Sequence, residues 1–389
     1  MVEQLVTFNT SQTILFGNNA VDQVNGIVKT VKAKKVLIIT DKGIVGCGLL
    51  EPLKAQLKRV KHTVFDEVEE TPGLETIRTC TKFAKKEKFD LLIGLGGGSS
   101  MDATKAVSAL VTNPGDIEKY LGSDTIRVPG LKKILIPTTS GTGSEVTIFS
   151  VLALREKNVQ EPTGIYDRHM LPEWAIVDPT LTLSMPPKLT ANTGMDAFSH
   201  AAECYVNVKS NLFTEPLALE AIRFISQNIE KATKNGSDVQ ARSGMSAGSV
   251  LAGMAFSQTG TGLTHGLAET AQIPYKIPHG AAIAVILPHV MAFNLPERIA
   301  KFAQMARAMG VDPRGLSEAD LAEKSVQRVK EINAQIGIPK GLSALGIPEK
   351  DLGKIAADTM VLGAGYLKKS PRLANEQDLL QILRNAYQG

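Results

Sequence analysis

Cysteine is scarce in this chain. Among 389 residues there are three, Cys47, Cys80 and Cys204, widely separated and odd in number. That count supports neither a disulfide framework nor a CxxC site, and it points to reduced structural thiols and a cytoplasmic setting. Net charge is also small, at +4, and the lysines are spread out rather than gathered into a basic arm. A nucleic-acid partner is therefore not indicated. No apolar run approaches the roughly 20 residues of a membrane-spanning helix. The opening MVEQLVTFNTSQTILFG lacks the basic start and apolar stretch of a secretion signal. No internal repeat or low-complexity tract is visible. What remains is an ordinary globular composition, 43% apolar and 21% charged, on a chain long enough for two domains.

The first half alternates short apolar, β-branched runs with helical stretches. Val36–Thr40, Asp90–Gly94 and Lys133–Pro137 are brief and continuous, as strands buried on both faces of a parallel sheet must be. After about residue 185 the chain turns rich in Ala, Leu, Ile, Glu and Lys, with helical spacing at Leu217, Leu219, Ile222, Ile225 and Ile229. Ser184–Met185–Pro186–Pro187 punctuates the change, because paired prolines do not continue a helix. The expectation is an α/β domain over residues 1–185 and an all-α domain over 186–389.

Each apolar run is followed by a loop suited to a ligand, as the carboxyl ends of parallel strands require. GLGGGSSMDATKA, residues 94–106, lies between a strand and a helix. Its spacing nearly fits the dinucleotide fingerprint, with Ser99 in the third glycine's place. Alone it supports an anion at a helix start or a tight strand–helix turn. PTTSGTGSE, residues 137–145, offers Thr138, Thr139, Ser140 and Thr142 as small hydroxyl donors. Asp41, just past a strand end, suits an adenosine ribose and would repel a 2′-phosphate; the alternative is a solvated turn residue.

Six histidines are present. In TGMDAFSHAAE, Asp196 and His200 stand four apart, on one face of a helix. His265 in GLTHGLAE and His279 in IPHGAA each precede a glycine that permits close approach. One carboxylate and three imidazoles make a first shell for Fe²⁺ or Zn²⁺. His62, His169 and His289 sit in a basic stretch, a polar turn and an apolar run, and are left outside it.

The motifs GGGSSMDATKA, PTTSGTGSEVT, AIVDPTLTLSMPP, TGMDAFSHAAECYV, GLTHGLAE and IPHGAAIAVILPHVMAFN occur in that order. Together they resemble the iron-containing (group III) metal-dependent alcohol dehydrogenases, the family of lactaldehyde reductases and 1,3-propanediol dehydrogenases. The resemblance covers nearly the whole chain. It implies a dehydroquinate synthase-like fold, an α/β nucleotide-binding domain followed by a helical metal-binding domain. It also implies Asp196, His200, His265 and His279 as ligands of Fe²⁺, with Zn²⁺ or Mn²⁺ as alternatives. Gly96, Gly97, Gly98, Ser99 and Asp102 would meet the pyrophosphate of NAD(H) and its surroundings. Thr138, Thr139, Ser140 and Thr142 would lie along the cofactor, and Asp41 would face its ribose. A homodimer or an array of dimers is implied as well.

Two positions depart from the family pattern. Where many members carry a histidine four residues after the third ligand, this chain has Glu269, a carboxylate that can also relay protons beside His265. A lysine that often contacts the cofactor is replaced by Pro162. The activity implied is hydride transfer between NAD(H) and a small primary alcohol or aldehyde at a divalent metal, with Phe149 and Phe256 as pocket walls. The rivals are reduction of a small anionic aldehyde such as sulfoacetaldehyde, with Lys209, Lys276 or Arg168 as counter-charges, and a dehydroquinate-synthase-type lyase.

Overall fold

Val36, Leu37, Ile38 and Ile39 are all completely buried, and so are Leu91, Leu92, Ile93 and Leu95. Strands that hide both faces must be covered by helices on each side, and the computed structural model shows that arrangement. It describes residues 5–156 and 159–388, apart from the side chains at 155, 156 and 159–162. The chain divides into two compact units, Asn9–Ser184 and Met185–Gly389, the latter together with Met1–Phe8. Residues 5–8 thus depart from the expected grouping with the α/β domain. The Phe8 ring packs 6.0 Å from Phe213 of the helical unit, which gives the reason.

The α/β unit contains strands β1 (Thr13–Phe16), β2 (Lys35–Ile39), β3 (Lys61–Phe65), β4 (Leu91–Gly96), β5 (Gly122–Ser123), β6 (Lys133–Pro137), β7 (Phe149–Glu156), β8 (Val159–Tyr166) and β9 (Trp174–Val177). Its helices are α1 (Val24–Val31), α2 (Lys42–Gly46), α3 (Leu50–Gln56), α4 (Leu74–Glu87) and α5 (Gly98–Thr112). Six strands form one parallel sheet in the order β1-β9-β6-β4-β2-β3, and β5-β8-β7 form a smaller sheet with an antiparallel β7–β8 pair. From β2 the chain goes outward to β3, then returns to place β4 on the other side of β2. The carboxyl ends of β2, β4 and β6 therefore stand side by side at a topological switch point. All three ligand-suited loops leave from there.

Two expected strand ends shift by one or two residues. β2 stops at Ile39, and β4 runs on through Gly96. Gly94, inside β4, is needed for packing, because a Cβ there would stand 2.6 Å from Thr104 Oγ1 of α5. The short strands β1, β3 and β9 and the β7–β8 hairpin carry no long apolar run, so periodicity did not single them out. β3, KHTVF, lies at the sheet edge and is only half-buried or exposed.

The second unit is helical: α6 (Pro187–Val206), α7 (Thr214–Lys234), α8 (Val239–Thr259), α9 (Leu263–Tyr275), α10 (His279–Asn294), α11 (Ile299–Ala308), α12 (Glu318–Gln335), α13 (Leu352–Leu362), α14 (Ala364–Leu367) and α15 (Glu376–Gln388). α6 starts at Pro187, a position where the missing N–H costs nothing. In α7 the buried stripe is Ala218, Ala221, Ile222, Ile225 and Ile229, while Leu217 and Leu219 are only half-buried. By length and composition one stretch, His279–Glu297, could cross a membrane. Most of it lies inside the unit, packed on α6, α9 and α12.

Candidate metal centre and cofactor loops

Asp196 and His200 are successive on one face of α6, as their four-residue spacing requires. His265 comes from the first turn of α9, and His279 opens α10. One glycine lets α10 close on α6. A Cβ at Gly280 would lie 2.2 Å from the Asn192 carbonyl oxygen, so α10 starts in direct contact with the α6 backbone. Gly266 leaves similar room, for Tyr366.

Three of the four predicted ligands, Asp196, His265 and His279, bring donor atoms within 4.8 Å of one another, and His200 stands outside that group but beside Asp196. Nε2 of His200, His265 and His279 stands 3.7, 3.6 and 3.4 Å from Asp196 Oδ1. Donor atoms that share one ion at about 2.1 Å in tetrahedral array stand roughly 3.4 Å apart, so the spacing fits a transition metal. Asp196 Oδ1 and His265 Nε2 are also buried without any hydrogen-bond partner. Orphaned polar atoms facing one another are costly unless something binds them. A cation satisfies both. His279 is 36% exposed against 4–8% for the other three side chains, so the centre is open on its side.

Behind the ligands stand partners that the sequence did not reveal. Glu203, one turn past His200 on α6, accepts from His265 Nδ1 at 2.5 Å and from the Thr264 N–H at 2.6 Å. Gln272 Oε1 lies 2.9 Å from His279 Nδ1. Both contacts place the ring proton on Nδ1 and leave Nε2 as the donor atom. A Glu three residues beyond an Asp-x-x-x-His pair was the available signal for Glu203. Phe256 stacks on His200 at 4.1 Å between centroids and 17° between planes. Phe149 belongs to the other unit, where it packs edge-on against Tyr166.

The electrostatics agree with a cation site. Burial opposes ionisation of Asp196, but the surrounding imidazoles hold its carboxyl well below the usual range. Burial pushes His200 down to about 4 despite Asp196. At His265 burial also disfavours charge, yet Glu203 and Asp196 outweigh it and push the ring up to about 10. Without metal, one imidazolium thus offsets two buried carboxylates, and a binding cation displaces its proton.

Glu269 lies one turn after His265 on α9, half-buried. The Tyr366 hydroxyl donates to its carboxylate and lies 2.9 Å from each oxygen. Lys369 Nζ stands 5.4 Å from the centre of the Tyr366 ring. His62, His169 and His289 stay outside the centre: His169 pairs with Asp167, and burial pushes His289 down to about 4. Lys209, Lys276 and Arg168 are all exposed.

In the α/β unit the three predicted loops meet. Gly96 ends β4 at φ +148°, a backbone region that side-chain-bearing residues avoid, and Gly97 caps α5. A Cβ at Gly98 would stand 2.8 Å from Thr142 Cγ2, and one at Gly97 would stand 3.6 Å from Thr139 Oγ1. The threonine loop is therefore folded over the glycine turn. Thr138 Oγ1 is buried without a partner, and Ser140 is buried beside it. Ser99 Oγ accepts from the Thr71 N–H at 3.1 Å. Asp41 caps α2 through the Ile44 N–H and accepts from Ser100 Oγ at 3.2 Å. Bare glycine backbone at a helix start, ringed by small hydroxyls, fits a pyrophosphate. Asp102 departs from the expectation, because its carboxylate is buried and taken up by Ser144, Val151 and Lys105. The Pro162 side chain lies outside the described residues.

Residues 11–179 match the family described as iron-containing alcohol dehydrogenase, and residues 190–387 match its C-terminal counterpart. The chain belongs to the iron-containing alcohol dehydrogenase family. It is accordingly an oxidoreductase acting on alcohols. It is 40% identical over 379 residues to long-chain-alcohol dehydrogenase 1 of Geobacillus thermodenitrificans, covering 96% of this chain and 94% of that one. It is 34% identical to the NAD-dependent methanol dehydrogenase of Bacillus methanolicus, over 96% of this chain and 97% of that one. The crystal structure of a 1,3-propanediol oxidoreductase superposes with a TM-score of 0.95 at 36% identity, covering 99% of this chain and 100% of that one. The α/β and helical layout is therefore that of the family.

Proposed function

We propose that the chain is an NAD(H)-dependent iron enzyme that interconverts a small primary alcohol and its aldehyde. The observation that carries this reading is the cluster of Asp196, His265 and His279, with His200 beside Asp196, in which two buried donor atoms have no hydrogen-bond partner. Iron suits one carboxylate with three imidazoles, and zinc or manganese would fit the same donors. When bound, the metal supplies Lewis acidity at the substrate oxygen, and NADH supplies the hydride.

The chain's own residues do the rest. Glu203 and Gln272 orient two ligand rings. Phe256 shields His200 on one face. Glu269 is read as the group that gives a proton to the substrate oxygen during reduction and recovers it during oxidation. Tyr366 holds that carboxylate in place. Gly96, Gly97, Gly98 and Ser99, with Thr138, Thr139, Ser140 and Thr142, are read as the pyrophosphate cradle. Asp41 at the end of β2 favours NAD(H), since its charge repels a 2′-phosphate. Its similarity to an NAD-dependent methanol dehydrogenase supports the same cofactor.

A cytoplasmic homodimer or array of dimers completes the reading. It is supported by three unpaired thiols and by the exposed apolar side chains of Val208, Leu212 and Phe213. The deciding experiment is an anaerobic assay with added Fe²⁺, crossing NADH and NADPH against neutral and anionic aldehydes. Stoichiometric NADH loss with a neutral aldehyde is the expected result. Turnover without net NADH change would instead indicate a lyase.

A further inference from the structure

One face of the first half of α5 is fastened to the segment Thr138–Val151. The contacts begin at Gly97 and Gly98, where Thr139 and Thr142 occupy the space of the missing side chains. One turn on, Asp102 Oδ1 accepts from Ser144 Oγ at 2.6 Å, and Asp102 Oδ2 accepts from the Val151 N–H at 3.1 Å. The Asp102 carbonyl accepts from Ser150 Oγ at 2.8 Å. A further turn on, Lys105 Nζ donates to the Phe149 carbonyl at 2.6 Å and to Thr147 Oγ1 at 3.2 Å. The Lys105 side chain is wholly buried, and Glu145, also buried, lies close enough to attract its charge.

These positions recur at helical spacing: Asp102 holds Ser144 at the end of the threonine loop, and Lys105 holds the stretch that follows it, at Thr147 and Phe149. A wholly buried ammonium has no access to a dinucleotide. Both Asp102 oxygens are already bonded inside the unit. A carboxylate aimed at a pyrophosphate would repel it, whereas one turned inward beside Lys105 does not. We propose that Asp102 and Lys105 are positioning residues, which clamp the Thr138–Ser144 loop over the glycine turn so that its hydroxyls are set for the cofactor. This inference rests on the NAD(H) reading of the loops. Asp102 thereby leaves the group of direct cofactor contacts and becomes the link between two loops that do make them.

The clamp predicts coupling between Asp102 and Ser144. The test is a double-mutant cycle of Asp102→Asn and Ser144→Ala, read as the NADH dissociation constant by titration of protein stripped of metal. Each single variant should weaken NADH about tenfold, and the double variant no more than the weaker single one. In steady state the KM for NADH rises while kcat and bound metal stay within about twofold, a split that general loss of structure would not produce. Additive losses would overturn the clamp and return Asp102 to direct contact. Should Asp102→Asn not fold, Ser144→Ala with Thr147→Ala provides the second cycle, since both hydroxyls bond the Asp102–Lys105 pair. Wild-type protein that binds no NADH would overturn the cofactor reading itself, a result distinct from additivity.

Discussion

Glu203 Oε2 stands 2.5 Å from Nδ1 of His265, inside the helical unit, where both side chains are almost completely buried. A carboxylate so placed fixes which ring nitrogen carries the proton and raises the basicity of the other. Substituting Glu203→Gln should weaken metal affinity about 10- to 100-fold while the fold persists. Metal titration monitored by calorimetry, with circular dichroism as control, measures this. An unchanged affinity would mean that Glu203 is only a packing partner of Thr264.

Chelation should lower the melting temperature as well as remove activity, because a cation that binds only the folded chain stabilises it. At a hundred times its dissociation constant the gain is about 2.7 kcal/mol. Scanning calorimetry before and after re-addition of Fe²⁺ under anaerobic conditions should recover both losses together. Asp196→Asn should abolish the metal-dependent part of the shift.

Tyr366 donates to both oxygens of Glu269, so a change at either residue should alter the pH profile of kcat/KM rather than metal content. Glu269→Gln should cost about 100-fold or more if it is the proton relay, and Glu269→His should restore part of that loss. Tyr366→Phe should cost less and displace one limb of the profile. Coincident profiles for Tyr366→Phe and wild type would remove the tyrosine from the proton path.

Burial pushes the Glu145 carboxyl up to about 7, with Lys105 opposing the shift. A folded-state pKa raised above the ordinary 4.5 contributes stability that is complete below 4.5 and lost as pH rises through 7. Lys105, pushed down to about 8 by burial, keeps its charge over most of that range. Melting temperature should therefore fall between pH 5 and pH 7.5 more steeply in wild type than in Glu145→Gln. Parallel curves would show that Glu145 stays ionised in the folded state.

Thiol reactivity gives a further check. Cys47 is exposed, while Cys80 and Cys204 are buried and pushed up to about 12. An aromatic disulfide reagent should titrate one thiol in native protein and three after denaturation. Fast reaction of more than one would show that a buried thiol becomes accessible.

Much of this architecture was legible along the chain, for local reasons. VLII, LLIGLG and KILIP are buried on both faces, and only parallel strands under helices can bury such runs. Glycines at the ends of β4 announced a backbone that something approaches. The four-residue spacing of Asp196 and His200 placed them on one helical face before any coordinate was known. The half-buried strand KHTVF and the β7–β8 hairpin were not legible, because mixed polarity at a sheet edge resembles a loop.

Residue type and spacing therefore decided the chemistry on offer: four candidate ligands, three small-residue loops and a carboxylate at position 269. Tertiary packing decided which groups meet. It carried His265 and His279 from α9 and α10 onto α6, with Gly280 leaving no side chain between α10 and the α6 backbone. It also supplied Glu203, Gln272 and Tyr366 as partners, and turned Asp102 inward to Ser144 rather than outward. Local periodicity sets the face on which a side chain stands. What waits on the other side of that face depends on contacts between distant stretches of chain, and only the folded packing determines them.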